Sequence, residues 1–137
     1  MQFKIKKSTT RVLIADDDAV IRHVIAAVVK QQGYTPIEVK DGREVCRLLQ
    51  SDADFKFAIL DMSMPYLTGI DLIRYMQTEK RLMRIPILLV TAEQNIKLLA
   101  DSFGAGATAF LPKPFTPEQL QTTLGLLAAN GSISQAA

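Results

Sequence analysis

The chain has 137 residues, 48% of them hydrophobic and 22% charged, with a formal net charge of +2. That length suits one domain with a real hydrophobic core, and no apolar stretch is long enough to span a bilayer. Cys46 is the only cysteine, which excludes an internal disulfide and a cysteine metal cluster and fits a reducing cytoplasm.

The first ten residues read as a basic arm. Lys4, Lys6, Lys7 and Arg11 all precede the first acid; with those four set aside from 16, 12 basic residues face 14 acidic ones, a balance of −2. Such an arm could touch nucleic acid or anionic lipid, but so few charges are accounted for by a solvated, frayed terminus. No apolar signal core follows the arm, because VLIA breaks at once into Asp16, Asp17 and Asp18, so secretion is not expected. Elsewhere aromatic and basic residues do not interleave, so no nucleic-acid surface is expected, and without an apolar span no membrane insertion is expected.

From Val12 the chain alternates strand and helix patterns. VLIA at 12–15 is a short buried strand, and Ala19 to Gln32 carries apolar residues at helical spacing until Gly33 stops it. Thr35 to Val39 is a second strand, Asp41-Gly42 a turn, and Arg43 to Gln50 a helix. Phe57 to Leu60 is the third strand; after the break at Pro65 to Gly69, Ile70 to Lys80 is the third helix. Ile87 to Val90 is the fourth strand, followed by a helix over Gln94 to Phe103 that Gly104 and Gly106 end. Ala109 to Leu111 is the fifth strand. Pro117 suits a helix N-terminus, and Glu118 to Leu127 is the last helix. The final residues, 129–137, are small and polar and read as a flexible tail. Uninterrupted apolar strands separated by helices predict an open parallel sheet covered on both faces.

Four of these strands end on residues that phosphoryl chemistry can use: Asp16 to Asp18, Asp61, Thr91 and Lys113. Parallel α/β sheets bind ligands outside the carboxyl ends of their strands. Carboxylates gathered there repel one another, and a divalent cation resolves the repulsion; a hard ion such as Mg2+, with Mn2+ as a substitute, prefers oxygen ligands. Asp61 can be a ligand or a nucleophile, since carboxylates form aspartyl phosphates. Lys113 supplies a point charge for a phosphoryl oxygen, Thr91 a hydroxyl donor, and small Ala92 leaves room beside it.

ADDD at 15–18, LDMSMP at 60–65 with Gly69, VTA at 90–92 and GATAFLPKPF at 106–115 together resemble the receiver domain of two-component response regulators, of the single-domain, chemotaxis-regulator kind. The resemblance spans about Arg11 to Leu127 and would make residues 11–128 the receiver. It implies a flavodoxin-like doubly wound five-stranded parallel sheet, order 2-1-3-4-5, with five helices. It also implies roles by position. Asp61 matches the phosphoacceptor, Asp17 the main acidic metal ligand, Asp16 its water-linked partner, and Ser63 the residue whose backbone carbonyl binds Mg2+. Thr91, the Ala92 backbone and Lys113 match the phosphoryl-binding groups, and Phe110 the aromatic switch residue that works with Thr91. The Lys113–Pro114 bond is expected to be cis. The reaction implied is transfer from a histidine kinase or histidine phosphotransfer protein to Asp61, followed by slow hydrolysis. Output would pass to a downstream protein through the fourth predicted helix (with Lys97 and Asp101), the fifth strand and the fifth helix. The domain would assist its own phosphorylation and dephosphorylation without being an enzyme on other substrates.

Lys56, Thr68 and Pro112 depart from the family's common pattern, none at a position of the predicted chemistry. Other residues have plainer readings. Asp18 suits a cap on the first helix better than a third metal ligand. His23 is a lone surface histidine near the kinase-binding face, Cys46 a small hydrophobe, and Met62 and Met64 are loop and core fillers. Three alternatives compete with a stand-alone receiver: an aspartyl-phosphate phosphatase of similar fold, a receiver fragment of a longer response regulator or hybrid kinase, and a flavin carrier. The last lacks a phosphate loop after the first strand.

Overall fold

The computed structural model describes residues 10–133. Five strands, β1 (Arg11–Ala15), β2 (Thr35–Val39), β3 (Phe57–Asp61), β4 (Ile87–Thr91) and β5 (Ala109–Pro112), form one parallel sheet in the order β2-β1-β3-β4-β5. This is the doubly wound topology expected. The helices are α1 (Ala19–Gln31), α2 (Gly42–Leu49), α3 (Gly69–Met76), α4 (Lys80–Met83), α5 (Ile96–Ala105) and α6 (Pro117–Ile133).

The strands build two cores because successive side chains point to opposite faces. Val12, Ile14, Phe57, Ile59, Leu88 and Val90 face one side, where α1 and α6 cover them. Leu13, Ala15, Ala58, Leu60, Ile87 and Leu89 face the other, packed with residues of α2 to α5. A buried α1 face of Ile25, Ala26, Val28 and Val29 supplies part of the first core. Val20 and Val24, which share the helical apolar pattern, instead stay 72% and 38% exposed.

Four helix boundaries correct the expectations. Among the described residues there are six helices, not five. The predicted third helix ends at Met76, where the Gln77 N–H is shared between the Ile73 and Arg74 carbonyls and the Thr78 hydroxyl donates to the Tyr75 carbonyl. The chain then makes one further turn, α4, anchored by the buried Leu82. The fourth predicted helix starts two residues late, as α5, because Asn95 caps it by accepting from the Lys97 and Leu98 N–H groups. Gly104 lies inside that helix, and Gly106, at φ 129°, ends it. The last helix continues past Leu127 to Ile133, so residues 129–133 of the expected tail are helical. Backbone bonds carry a helix beyond its last core residue, and Ala128 and Ala129 favour it. Residues 134–137 of the tail and Lys4, Lys6 and Lys7 of the arm lie outside the described residues. Arg11, counted with the arm's charge, belongs to β1; its guanidinium pairs with Asp52 at 2.8 Å and lies over the Phe55 ring at 4.6 Å.

Candidate functional site

The parallel sheet puts every strand's carboxyl end on one edge, and the register aligns those ends. Ala15 is level with Leu60, Asp61 with Val90, and Thr91 with Pro112. Ladder bonds reach one residue further: Asp16 N–H donates to Val39 at 3.3 Å, Met62 N–H to Val90 at 2.9 Å and Lys113 N–H to Thr91 at 2.8 Å. Backbone pairing therefore places Asp16, Asp61, Thr91 and Lys113 before any side chain interacts. β1 and β3 are neighbours although β2 lies between them in sequence, so the crevice opens where the winding reverses.

Lys113 Nζ stands 3.2 Å from Asp16 Oδ2 and 3.3 Å from Asp61 Oδ1. Asp16 and Asp61 are both buried. Asp16 Oδ1 accepts from the Asp18 N–H at 2.9 Å, and Asp61 Oδ1 from the Ser63 N–H at 3.3 Å. The contact of Asp16 Oδ2 with Lys113 has the distance of an ion pair without the alignment of a hydrogen bond, so this buried oxygen has no hydrogen-bond partner. Asp17 is exposed beside them, and one carboxylate oxygen from each of Asp16, Asp17 and Asp61 lies within 4.8 Å of the others.

One ammonium faces three carboxylates. Burial, and then the Asp16 charge, push the Asp61 carboxyl up to about 6, and the Lys113 charge and the Ser63 N–H offset only part of this. Burial also works to lower the Lys113 ammonium, but Asp61 and Asp16 together outweigh it and hold it above its usual range. The two shifts agree: the cluster has too much negative charge for its solvent access. The buried Asp16 Oδ2, which makes no hydrogen bond, and the all-oxygen donor set fit a hard divalent cation.

An open pocket of about 650 Å³ lies over this cluster, lined among others by Asp17, Asp18, Asp61, Ser63, Ala92, Glu93 and Lys113. Thr91 is buried and does not line it; its Oγ1 accepts from the Glu93 N–H at 2.7 Å. Phe110, one strand further from β1, is half-buried and packs edge-on against Phe103 with ring centroids 5.5 Å apart. The structure thus gathers Asp16, Asp17, Asp61, Ser63, Ala92 and Lys113 and keeps Thr91 beneath the surface. The Lys113–Pro114 bond is cis.

Asp18 is a helix cap, as expected: its carboxylate accepts from the Val20 and Ile21 N–H groups. His23 is exposed, 3.8 Å from Glu38. Cys46 is half-buried and its thiol is pushed up by burial; Met62 and Met64 are buried in the core. Thr68 caps α3 in a reciprocal pair with Asp71. Gly69 leaves no space for a side chain, because a Cβ would meet Leu89 Cδ1 at 2.6 Å and the Asp61 carbonyl at 2.8 Å.

Sequence reasoning missed Arg22. Its guanidinium donates to the Asp16 carbonyl at 2.8 Å and to Glu38 Oε1 at 3.2 Å, clamping the end of β1 from the first turns of α1. The signal was a lone arginine four residues after a capping aspartate.

A sequence profile of the response regulator receiver domain matches residues 12–125. The chain is 35% identical over 112 residues to the chemotaxis protein CheY of Pseudomonas aeruginosa, covering 81% of this chain and 90% of that protein. Its fold superposes on the chemotaxis response regulator CheY4 of Vibrio cholerae with a TM-score of 0.81 at 31% identity, over 87% of this chain and 98% of that one. It also matches the signal receiver domain of a signal transduction histidine kinase from Syntrophus aciditrophicus, with a TM-score of 0.80 at 25% identity, over 89% and 92% of the two chains.

Proposed function

Because this chain belongs to the response regulator receiver domain family, we propose that Asp61 is its phosphoacceptor and that the pocket at the carboxyl edge of the sheet is where phosphotransfer occurs. The chain is a CheY-like receiver of a two-component system. The observation that carries the site assignment is the Lys113 ammonium held between Asp16 and Asp61, with Asp61 buried at the tip of β3 and facing the pocket.

In the proposed step a carboxylate oxygen of Asp61 attacks the phosphorus of a phosphohistidine. An O–P bond forms, the P–N bond breaks, and the imidazole leaves. Lys113 balances charge on a phosphoryl oxygen, and the Ala92 backbone lines the space for the group. Thr91 accepts from Glu93 N–H and keeps its own proton for donation to the phosphoryl group. Asp17, Asp61 and the Ser63 carbonyl would hold Mg2+ directly, with Asp16 acting through a water. When bound, Mg2+ neutralises carboxylate and phosphoryl charge.

The donor, a histidine kinase or phosphotransfer protein, would dock beside the pocket. There Val20, Ile21, Val24, Pro114 and Phe115 border an apolar hollow of about 420 Å³ that also touches Ala92 and Lys113. Signalling would be a population shift in which Thr91 moves towards the phosphoryl group and Phe110 turns inward, reshaping α5, β5 and α6 for a downstream protein. The exposed Lys97, Asp101 and Leu98 on α5 belong to that face. Among the described residues no helix is long and apolar enough to cross a membrane; a cytoplasmic location is proposed on the family's usual setting.

Intact-mass analysis after incubation with a small acyl phosphate and Mg2+ tests the assignment. One added phosphoryl group is expected, absent in Asp61→Asn and in metal-free protein. An adduct that persists in Asp61→Asn would overturn it.

A further inference from the structure

Tyr66 is the one non-glycine residue with a positive φ among the described residues, at 74°. Its neighbours close a hydrogen bond across it, with the Leu67 N–H donating to the Pro65 carbonyl at 2.9 Å. A three-residue turn with that sign of φ is rare and strained. Glycine adopts it freely, whereas a bulky aromatic residue does so only when its surroundings hold it there. Burial is not the holding force, since Tyr66 is 64% exposed.

Helix α2 packs against the turn. The Arg43 guanidinium lies 3.5 Å from the centre of the Tyr66 ring. At the preceding residue, Gly42, an added Cβ would come 2.6 Å from Leu67 Cβ and 2.7 Å from the Leu67 carbonyl. The start of α2 therefore meets the turn at two consecutive residues on each side. The connection from β3 to α3 is also tied at its ends: Ser63 N–H to Asp61 Oδ1 at 3.3 Å, and Gly69 N–H to the Met62 carbonyl at 2.9 Å. Between those ties the connection runs through the turn at Tyr66, and Ser63, at the first tie, lines the acidic pocket.

We propose that Arg43 and Tyr66 form a latch between α2 and the β3–α3 connection, and that both are positioning residues for the cation side of the pocket. With the latch closed, Ser63 stays beside Asp61. With it open, the strained turn relaxes and carries Ser63 away from the carboxylates. The consequence for the cation rests on the receiver reading above; the latch itself does not.

Two measurements on the full chain test this. The first is amide hydrogen exchange without metal, read at Ser63 and Leu67. The second is Mg2+ affinity by calorimetric titration. Arg43→Ala is expected to speed exchange at both amides and to weaken Mg2+ binding, each about two- to five-fold, the range for an exposed cation–π contact. Arg43→Lys keeps the charge but loses the flat stack and should fall between. Tyr66→Gly takes the positive φ without strain, so adding Arg43→Ala to it should change exchange by less than about 1.5-fold. Exchange unaltered by Arg43→Ala, or altered equally with and without the Tyr66 ring, would overturn the latch. Should the unmodified chain bind no Mg2+, the receiver reading fails and the exchange data alone decide the latch.

Discussion

In the role proposed for it, Asp61 is held between two requirements. A nucleophile or metal ligand must be ionised, yet burial and the Asp16 charge raise its carboxyl from 3.8 to about 6. In the unfolded chain the proton leaves at the ordinary value, so between about pH 4 and pH 6 the folded state binds more protons than the unfolded. The contribution of Asp61 to stability is thus fully present below about pH 4 and is lost as pH rises through about 6. Asp61→Asn stays neutral throughout and keeps the hydrogen bond from Ser63. Without metal, it should be more stable than the unmodified chain at pH 8 by on the order of 1–3 kcal/mol, with little difference at pH 4. Urea unfolding across that range checks it, and equal stabilities at pH 8 would mean that the acid cluster carries no such stress. The same residue shows what a one-dimensional reading sees. Its place at the end of an apolar run marked it, but the donation from Ser63 N–H and the 3.3 Å approach of Lys113 follow from a turn and a distant strand.

Helix termini show the same division. Asp18 was legible as a cap because a short acidic side chain before an apolar-periodic run has an ordinary use there. The competing reading was a third metal ligand, and Asp18 does line the pocket. Asp18→Ala separates the two. As a cap it should cost about 1 kcal/mol of stability while leaving Mg2+ affinity within about two-fold; as a ligand it should weaken Mg2+ far more than it weakens the fold. Thermal unfolding and metal titration of one variant give both numbers. Asn95, with the same capping role on α5, went unread because the sequence before it offers Gln94 as an equally good start. The end of α3 was misjudged for a related reason: Gln77 to Lys80 contains nothing that forbids a helix. What stops it there is a local exchange of hydrogen bonds at Thr78 and the pull of Leu82 into the core, and neither leaves a mark on periodicity.

At the scale of the molecule, two cores grip the sheet, and its carboxyl edge gathers the acidic cluster of Asp16, Asp17 and Asp61. A fold that concentrates carboxylates at one edge should gain stability from whatever neutralises them. Mg2+ at ten times its dissociation constant should add about 1.4 kcal/mol to the unfolding free energy, with a matching rise in Tm. On the proposed ligand assignment, Asp61→Asn should lose most of that gain. Differential scanning calorimetry with and without Mg2+ makes the comparison, and an equal gain in both proteins would place the cation elsewhere. Within the face formed by α5, β5 and α6, Phe103 and Phe110 pack between α5 and β5. The ends of β4 and β5 are joined by the bond from Lys113 N–H to Thr91, and Glu93, which lines the pocket, leads into the Asn95 cap of α5.

The sequence's pattern by itself determined an open parallel sheet covered on both faces and which polar residues end its strands, because apolar runs of strand length interrupted by helical periods admit few architectures; the order of the strands was implied only by the family resemblance. It also determined that acids, a hydroxyl and a lysine meet at one edge, since parallel strands share a direction. Tertiary structure alone decided how those groups face one another: that Lys113 stands between Asp16 and Asp61, that Thr91 is buried below Ala92, that Arg22 clamps the end of β1, and that Val20 and Val24 turn outward. It alone decided that Tyr66 adopts a left-handed turn under Arg43. Pattern reports which side of an element is apolar. Distances between side chains from separate elements depend on packing, and packing is set by every neighbour at once.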